Sequence, residues 1–332
     1  MRPRALSSRP RFLPAMLVAL SALGAMPAPS EAAETFDAWV ARLRAEALQK
    51  GVSAATFDTA FKGIAPIPEV VEKDQSQPEF TLTFAEYMTR VVSPTRVATA
   101  RQKLVEHRAL LAKISARYNV APRFIVALWG IESNFGSRAG TYPVVGALAT
   151  LSYEGRRSAF FRQELLAALR VLDAGHITVD RMTGSWAGAM GQCQFMPSSF
   201  LRFAADGDGD GREDIWTNTA DVFASAANYL AKSGWKGDQT WGRPVRLPAS
   251  FNANLASPRT RKTLREWEKL GVKNADGGRL PTRNLAASVV RPDGAGGPAF
   301  VVYENFRVIK RWNPSDFFAL AVGQLADRAE GE

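Results

Sequence analysis

The sequence predicts an α+β protein that is mainly helical and carries a small antiparallel β insertion. Apolar residues recur every three to four positions, the spacing of one helix face, in four segments near the front of the chain: 36–50, 54–61, 80–91 and 94–118. Helical stretches then alternate with glycine-rich loops from residue 122 to residue 231. Beyond Trp235 the composition changes to short β-branched runs separated by Pro and Gly, which indicates strands and turns.

The connections follow from the same patterns. Residues 62–78 are rich in Pro and polar side chains and are predicted to form a loop. The β-branched runs lie at residues 242–248, 284–290 and 300–309. Residues 293–298 are predicted to join two of them as a hairpin, and a helix at 314–328 closes the chain.

The first 32 residues have the pattern of a secretory signal peptide. Four arginines precede an apolar run from Phe12 to Met26, and Ser30 and Ala32 fit the small positions before a cleavage site. The run is short for a bilayer span, and no other segment is apolar enough to cross a membrane. Since no cysteine adjoins the cleavage site, we expect an exported, periplasmic protein that is not a lipoprotein.

The net charge indicates the class of partner, and the cysteine content indicates what can stabilise the fold. The net charge is +10, of which the leader's four arginines and Glu31 account for three, so anionic partners are favoured. Export and the lack of a dense Lys/Arg tract argue against nucleic acid. Cys193 is the only cysteine, so the fold must be held by its core, by a bound metal, or by both.

Glu132 is the first candidate for chemistry, because it follows an apolar helical segment. Asn119 is a candidate N-cap, and Pro122 lies in the first turn. The apolar face is formed by Phe124, Ile125, Leu128 and Ile131.

A carboxyl group at the end of that face is expected to be half-buried against Trp129 and Phe135. Desolvation would raise the pKa of Glu132, and a carboxylic acid that stays protonated near neutral pH can protonate a leaving oxygen. The alternative is an ordinary surface glutamate at a helix end.

The second candidate is the glycine-rich stretch from Ser185 to Ser199. Its glycines allow close approach of the backbone, and its polar side chains are Ser185, Gln192, Gln194 and Ser198. The alternative is a tight packing loop between helices.

Together, W-G-I-E-S-N-F-G at 129–136 and S-W-A-G-A-M-G-Q-C-Q-F-M-P-S-S at 185–199 resemble the lytic murein transglycosylase B family. Residues 77–80, 228–229 and 304–318 extend the resemblance over nearly the whole mature chain. It implies a lysozyme-like catalytic core. The expected division is a signal peptide (1–32), a helical N-terminal portion (33–118), the core (119–241), a β subdomain (242–304) and a segment returning to the core (305–332).

The resemblance also implies a reaction. Family members cut the β-1,4 bond between N-acetylmuramic acid and N-acetylglucosamine of peptidoglycan, and the muramic acid's own 6-hydroxyl forms a 1,6-anhydro ring. By motif position Glu132 is the single acid/base catalyst. The substrate contacts implied are Ser133, Arg156, Arg157, Ser185, Gln194, Tyr229 and Asn313. Trp312 and Phe318 stand where the family usually has tyrosines, and neither carries the hydroxyl that would make the hydrogen bonds expected of those tyrosines.

The residues themselves are consistent with chemistry by one carboxylate. Most glycosidases use two carboxylates that flank the scissile bond. Neither signature loop contains an acid other than Glu132. The next acids along the chain, of which Glu154 and Glu164 are the nearest, could still fold into the cleft, so a hydrolytic muramidase stays open.

The aspartate-rich run from Asp206 to Asp214 matches the start of an EF-hand loop. The candidate ligands are Asp206, Asp208, Asp210 and the carbonyl of Arg212. Thr217 replaces the usual glutamate at position twelve, and Asp221 could close a longer loop, as in the resembled family. We predict a structural Ca²⁺ site; the alternative is an acidic turn without metal. No organic cofactor is expected.

Two further classes compete. Cys193 with His107 or His176 would be the pair of a thiol protease. The other is a noncatalytic module that binds the cell wall or calcium. Tryptophans such as Trp129, Trp186, Trp216 and Trp312 would suit stacking on sugars in either an enzyme or such a module, although most tryptophans belong to a core.

Overall fold

The computed structural model describes residues 34–76, 82–154 and 156–331, and the chain from Phe36 onward forms one compact unit. The predicted signal peptide and the 77–80 motif lie outside the described residues. Among the described helices none combines the length and the apolar character that crossing a bilayer requires. The predicted class, mainly helical with a small antiparallel sheet, is confirmed.

Six helices form the front half: α1 (Phe36–Gln49), α2 (Ala54–Ala60), α3 (Pro68–Gln75), α4 (Phe84–Val91), α5 (Pro94–Glu106) and α6 (Arg108–Tyr118). Side chains cap several of them. Ser53 accepts a hydrogen bond from Thr56 N, and Thr83 with Glu86 forms a capping box that fixes the start of α4.

Two predictions about this half were wrong. The segment 62–78 is not only a loop, because α3 begins there at Pro68 and buries Val70. Proline suits the first helical turn, where its missing N–H is not needed, so the prolines marked a start and not a loop. The helix expected over 94–118 is interrupted at His107, which ends α5 and precedes α6.

The centre of the molecule is α7 (Pro122–Ser133), which is buried on nearly all sides from Phe124 to Gly130. It is surrounded by α5, by α11 (Thr219–Lys232) and by α14 (Asp316–Glu330). The helices α8 (Val144–Glu154), α9 (Ser158–Asp173) and α10 (Pro197–Phe203) complete this body.

The prediction that Asn119 caps the start of α7 was wrong. Asn119 has φ 54° and ends α6 in the left-handed conformation, whereas Ala121 precedes α7. Asparagine tolerates this conformation better than most residues, so it serves as a C-cap here.

A small two-stranded pairing joins β1 (Tyr142–Pro143) to β2 (Thr183–Gly184). The larger sheet contains β3 (Gly242–Arg246), β4 (Lys262–Thr263), β5 (Lys273–Asn274), β6 (Ala286–Val290) and β7 (Ala299–Val302) in the order β4-β6-β7-β3-β5. Every pairing is antiparallel, and β6 and β7 are joined as the predicted hairpin. With α12 (Leu264–Lys269) the sheet encloses its own small core around Trp267.

The run at 300–309 was predicted as a strand, but only its first three residues belong to β7. From Glu304 the chain forms α13 (Glu304–Trp312), in which Phe306, Val308 and Ile309 are buried. β7 is a continuous apolar run that is buried throughout, and helical spacing begins only in α13, so a β-branched composition concealed the helix.

Candidate active site

Glu132 lies in the last turn of α7, immediately before an unusual reversal of the chain. Asn134, Phe135 and Gly136 all have positive φ, 49°, 58° and 84°. The left-handed conformation is costly for a residue as large as phenylalanine, and such strained backbone collects at functional sites.

The reversal folds the ring of Phe135 back onto α7. A Cβ at Gly130 would lie 2.7 Å from that ring, so only glycine leaves room for it. Ser133 is fully buried, and its Oγ donates to Trp129 O and accepts from Gly136 N, at 3.2 and 3.1 Å. In this structure Ser133 therefore holds the turn that presents Glu132.

Within the described residues the carboxyl group of Glu132 has one hydrogen-bond partner, the indole of Trp312. Trp312 Nε1 donates to Glu132 Oε1 at 2.6 Å, from a position 180 residues further along the chain. The side chain is half-buried. Desolvation raises the pKa of Glu132 to about 8, although the hydrogen bond from Trp312 opposes the rise. The carboxyl group is therefore mostly protonated at neutral pH.

Trp312 ends α13 and packs in an aromatic cluster with Phe195, Phe203 and Tyr229. Ring centroids lie 4.7 Å apart for Tyr229 and Trp312, and 5.1 Å apart for Phe195 and Trp312. Tyr229 is buried and donates its hydroxyl hydrogen to Arg311 O at 2.5 Å. The predicted residue Tyr229 thus supports the chain next to Trp312.

The glycine-rich stretch packs directly against the turn after α7. Trp129 Nε1 donates to Gln192 Oε1 at 2.7 Å, and Gln192 Nε2 donates to Trp216 O at 2.8 Å. Gln194, with φ 49°, donates to Ala139 O at 2.8 Å. The two glutamines, one of them predicted to bind sugar, join the two signature loops.

Ser185 and Asn313 each make a local hydrogen bond to the backbone of their own segment. Ser185 Oγ accepts from Ala189 N at 3.0 Å, and Asn313 Oδ1 accepts from Ser315 N at 3.0 Å. Both residues are half-buried. Phe318, the second position without the family's hydroxyl, is buried in the main core.

Arg156 and Arg157 both bind Asp74, and among the described residues neither has a hydrogen bond or an ion pair with the two signature loops. Arg157 Nη2 donates to Asp74 Oδ1 at 3.1 Å, and Arg156 Nη2 donates to Asp74 O at 2.6 Å. The Asp74 side chain is 4% exposed, whereas the two arginine side chains are 71% and 53% exposed. The pair is therefore anchored to α3 and still open to solvent.

The aspartate-rich loop brings its three predicted carboxylates together. Asp206, Asp208 and Asp210 each offer an oxygen within 4.8 Å of the others. Three hard anionic oxygens at this separation fit a Ca²⁺ ion.

Asp221 and Arg212 have other contacts in this structure. Asp221 is outside that group of three and fully buried; its oxygens accept from Gly207 N at 2.8 Å and Asp214 N at 2.6 Å. It therefore fastens both ends of the loop to the first turn of α11. Arg212 N donates to Asp210 Oδ1 at 2.8 Å.

The thiol-protease alternative does not agree with the structure. Cys193 is buried, its Sγ donates to Val222 O at 3.4 Å, and burial raises the pKa of the thiol further. His107 packs on Trp129 and Phe223, and His176 pairs with Glu213 at 2.9 Å. A buried neutral thiol without an imidazole partner is a poor nucleophile.

Sequence reasoning found Glu132 but missed the side chains that surround it. The sequence suggested for Trp312 only a missing hydroxyl or stacking on a sugar, and it gave no signal for Asp74. Only chain folding brings these residues beside Glu132 and Arg157.

Comparisons with known proteins agree with this geometry. Residues 35–327 match the family described as Transglycosylase SLT domain. The chain is 32% identical over 247 residues to the membrane-bound lytic murein transglycosylase B of Escherichia coli (strain K12), a match that covers 72% of this chain and 65% of that protein.

Solved structures are also similar. SltB3 of Pseudomonas aeruginosa in complex with NAG-anhNAM-pentapeptide is 47% identical with a TM-score of 0.87, covering 90% of this chain and 80% of that chain. The lytic transglycosylase Slt35 of Escherichia coli in complex with calcium is 25% identical with a TM-score of 0.76, covering 88% and 92%. The resemblance stated from the motifs is confirmed: the chain belongs to the transglycosylase SLT domain family.

Proposed function

We propose that the protein is a lytic transglycosylase that cleaves the β-1,4 bond between N-acetylmuramic acid and N-acetylglucosamine in peptidoglycan. The observation that carries this proposal is a single carboxyl group, Glu132, with a pKa raised to about 8, at the junction of the two signature loops. A similar protein, SltB3, binds a NAG-anhNAM-pentapeptide. That ligand contains the anhydro sugar such a reaction makes.

The reaction uses Glu132 twice. As an acid it gives its proton to the glycosidic oxygen while the bond from that oxygen to the anomeric carbon breaks. As a carboxylate it takes the proton of the muramic acid's 6-hydroxyl while the 6-oxygen bonds to the anomeric carbon. The 2-acetamido group assists by stabilising the anomeric centre. No water is consumed, and Glu132 is again protonated at the end.

The environment of Glu132 supports this use of one carboxyl group. Two causes set its pKa, desolvation and the hydrogen bond from Trp312, and no other carboxylate of the described residues contributes. In a glycosidase with two carboxylates a few ångströms apart, the charge of each carboxylate would shift the pKa of the other.

Product analysis distinguishes transglycosylation from hydrolysis. Purified sacculi are digested, and the soluble muropeptides are measured by mass spectrometry. We expect products one water lighter than those of a hydrolase; only reducing-end muramic acid would contradict the proposal. A noncatalytic wall-binding module would bind the sacculi and release nothing.

A matched pair of variants tests the catalytic role of Glu132. Glu132→Gln keeps the shape of the side chain but has no acidic proton, so it should fold and release no products. Glu106→Gln makes the same change at an exposed carboxyl group on α5 and should retain activity. Turnover by Glu132→Gln at the wild-type rate would remove Glu132 from this role.

We infer that the substrate is held by residues around this junction. Ser185, Gln194, Tyr229 and Asn313 are proposed for the sugar subsites because they lie on the loops and helices that meet at Glu132 and Trp312. Ser133 is proposed to act through the turn, and Arg156 and Arg157 to meet the anionic stem peptide with their exposed guanidinium groups. The expected division at residues 119, 242 and 305 stays a prediction.

We also propose a structural Ca²⁺ held by Asp206, Asp208 and Asp210, with the carbonyl of Arg212 as a further ligand. The convergence of three carboxylates supports the site, and Slt35 was solved in complex with calcium. These three carboxylates would hold the ion, whose two positive charges would offset two of their three negative charges. Asp221 then anchors the loop to α11, which carries Tyr229.

The leader pattern supports export, so we propose that the mature protein acts in the periplasm. N-terminal sequencing of the protein recovered from that compartment should give a chain that begins near Ala33. A retained leader would contradict this.

A further inference from the structure

The contact between Trp312 and Glu132 has a direction, because an indole N–H can only donate. Glu132 Oε1 must accept at 2.6 Å. In a protonated carboxyl group the carbonyl oxygen is the better acceptor, and the other oxygen carries the hydrogen. We propose that Trp312 is a positioning residue that makes Oε1 the carbonyl oxygen of Glu132 and Oε2 the oxygen that carries the catalytic proton. This inference rests on the proposed function.

The same assignment holds through the whole reaction. Oε2 gives its hydrogen to the glycosidic oxygen, and Oε1 stays bound to the indole in the carboxylate that results. Oε2 then takes the hydrogen of the 6-hydroxyl. One oxygen thus gives and receives the proton, and the carboxyl group does not need to rotate between the two steps.

The indole is well fixed for this role. Its ring packs on Tyr229 and Phe195, and the neighbouring carbonyl of Arg311 accepts the hydroxyl hydrogen of Tyr229. A donor held by packing keeps its direction while charge develops on Glu132.

A tyrosine at this position, as the resembled family usually has, would not impose the same assignment. A phenol can both donate and accept, so either oxygen of Glu132 could carry the hydrogen. Trp312 removes one of the two arrangements, because its indole N–H cannot accept.

Few titratable groups interfere with a pH test. Cys193 faces Glu132 from the glycine-rich stretch, and its raised thiol pKa keeps it neutral. Tyr229, on α11, has a raised pKa as well and is neutral over the same range. The charged Arg311 lies on α13 beside Trp312, and within the described residues no charged group is a cause of the Glu132 shift.

The test replaces Trp312 by benzothienylalanine, in which sulfur takes the place of the N–H and the ring shape is kept. Losing the donor should lower kcat about tenfold at little change in KM, since a hydrogen bond to a charged group is lost. The basic limb of kcat/KM should move up by about one pH unit, because the hydrogen bond no longer opposes desolvation. Trp312→Tyr supplies a donor again and should return the basic limb of kcat/KM to its wild-type pH.

Phe203→Leu is the packing control, since Phe203 lies in the same aromatic cluster, 4.4 Å from Tyr229 between centroids. It should lower the melting temperature and leave the basic limb in place. A benzothienylalanine protein with the wild-type kcat and the wild-type limb would overturn the proposal. So would a limb that moves equally in Phe203→Leu.

An infrared measurement on the wild-type protein covers the case in which the variants fail to fold. The spectrum of wild type minus Glu132→Gln at pH 6 should show one carboxyl C=O band, lowered in frequency by a hydrogen bond. A band at the frequency of a free carbonyl would overturn the proposal. Anhydro products with an unmoved limb would refute only the role of Trp312, whereas reducing-end products from wild type would refute the proposed function.

Discussion

Gln192 accepts the indole hydrogen of Trp129 at 2.7 Å, and this bond joins the helix that carries Glu132 to the glycine-rich stretch. The same amide donates to Trp216 O, and Gln192 N donates to Ile215 O at 2.8 Å. Gln192 therefore links α7, the glycine-rich stretch and the segment at Ile215 and Trp216.

Replacing Gln192 by leucine should destabilise the protein. The change leaves Trp129 Nε1 and Trp216 O without these partners in a partly buried place, which costs about 2 kcal/mol of unfolding free energy. Urea unfolding measures it. Gln102→Leu, on the exposed face of α5, is the matched control and should change little. Equal midpoints for the two variants would show that the junction does not depend on Gln192.

The stability of the protein should depend on the protonation of Glu132. The native state keeps the proton up to about pH 8, whereas the unfolded chain releases it above about pH 4.5. Between these values ionisation favours unfolding, so this contribution to stability is lost as the pH rises. Glutamine cannot ionise.

Glu132→Gln should therefore be more stable than wild type at pH 8, by at most about 5 kcal/mol, and equally stable below pH 4.5. Melting temperatures across this range measure the difference. A constant difference at all pH values would mean that the pKa of Glu132 is not raised.

The sequence was sufficient for Glu132 because its signal is local. A long apolar helix that ends at a carboxylate before a polar, glycine-rich turn predicts a half-buried acid, and the structure has one. The aspartate loop is local in the same way, since ligands at alternate positions in one turn converge without help from elsewhere. The role of each site residue stays a prediction.

The partners of these residues could not be predicted, because they depend on tertiary packing. Trp312 reaches Glu132 across 180 residues. Asp74 receives Arg157 from a helix that was itself predicted to be a loop. The helix α13 was missed because its Val and Ile fit strands as well as helices, and only burial decides between them.

Two helical glycines, Gly323 and Gly146, should respond differently to replacement by alanine. Alanine favours a helix by up to about 1 kcal/mol over glycine. A Cβ at Gly323 in α14 would overlap the indole of Trp241, whereas a Cβ at Gly146 in α8 would lie 3.3 Å from the end of the Ile67 side chain. Gly323→Ala should cost about 1–3 kcal/mol and Gly146→Ala about nothing, by urea unfolding. A Gly323→Ala protein as stable as wild type would show that α14 can move away from Trp241.

Cys193 should be inert in the native protein. Its thiol is buried and bonded to Val222 O, and burial raises its pKa, so little thiolate forms at neutral pH. Ellman's reagent should react only after unfolding, with one thiol per chain. Fast labelling of the folded protein would mean that the glycine-rich stretch opens readily.

Calcium should stabilise the protein through Asp206, Asp208 and Asp210. An ion that binds only the folded chain adds about 2.7 kcal/mol at one hundred times its dissociation constant, so chelation should lower the melting temperature and added Ca²⁺ should restore it. Asp206→Ala removes an oxygen that also accepts from Gly211 N, and its melting temperature should no longer respond to calcium. Asp238→Ala changes a solvent-exposed carboxylate outside the loop and should keep the full response. An unchanged response in Asp206→Ala would place the stabilising ion elsewhere, because the two remaining carboxylates should bind Ca²⁺ more weakly than three.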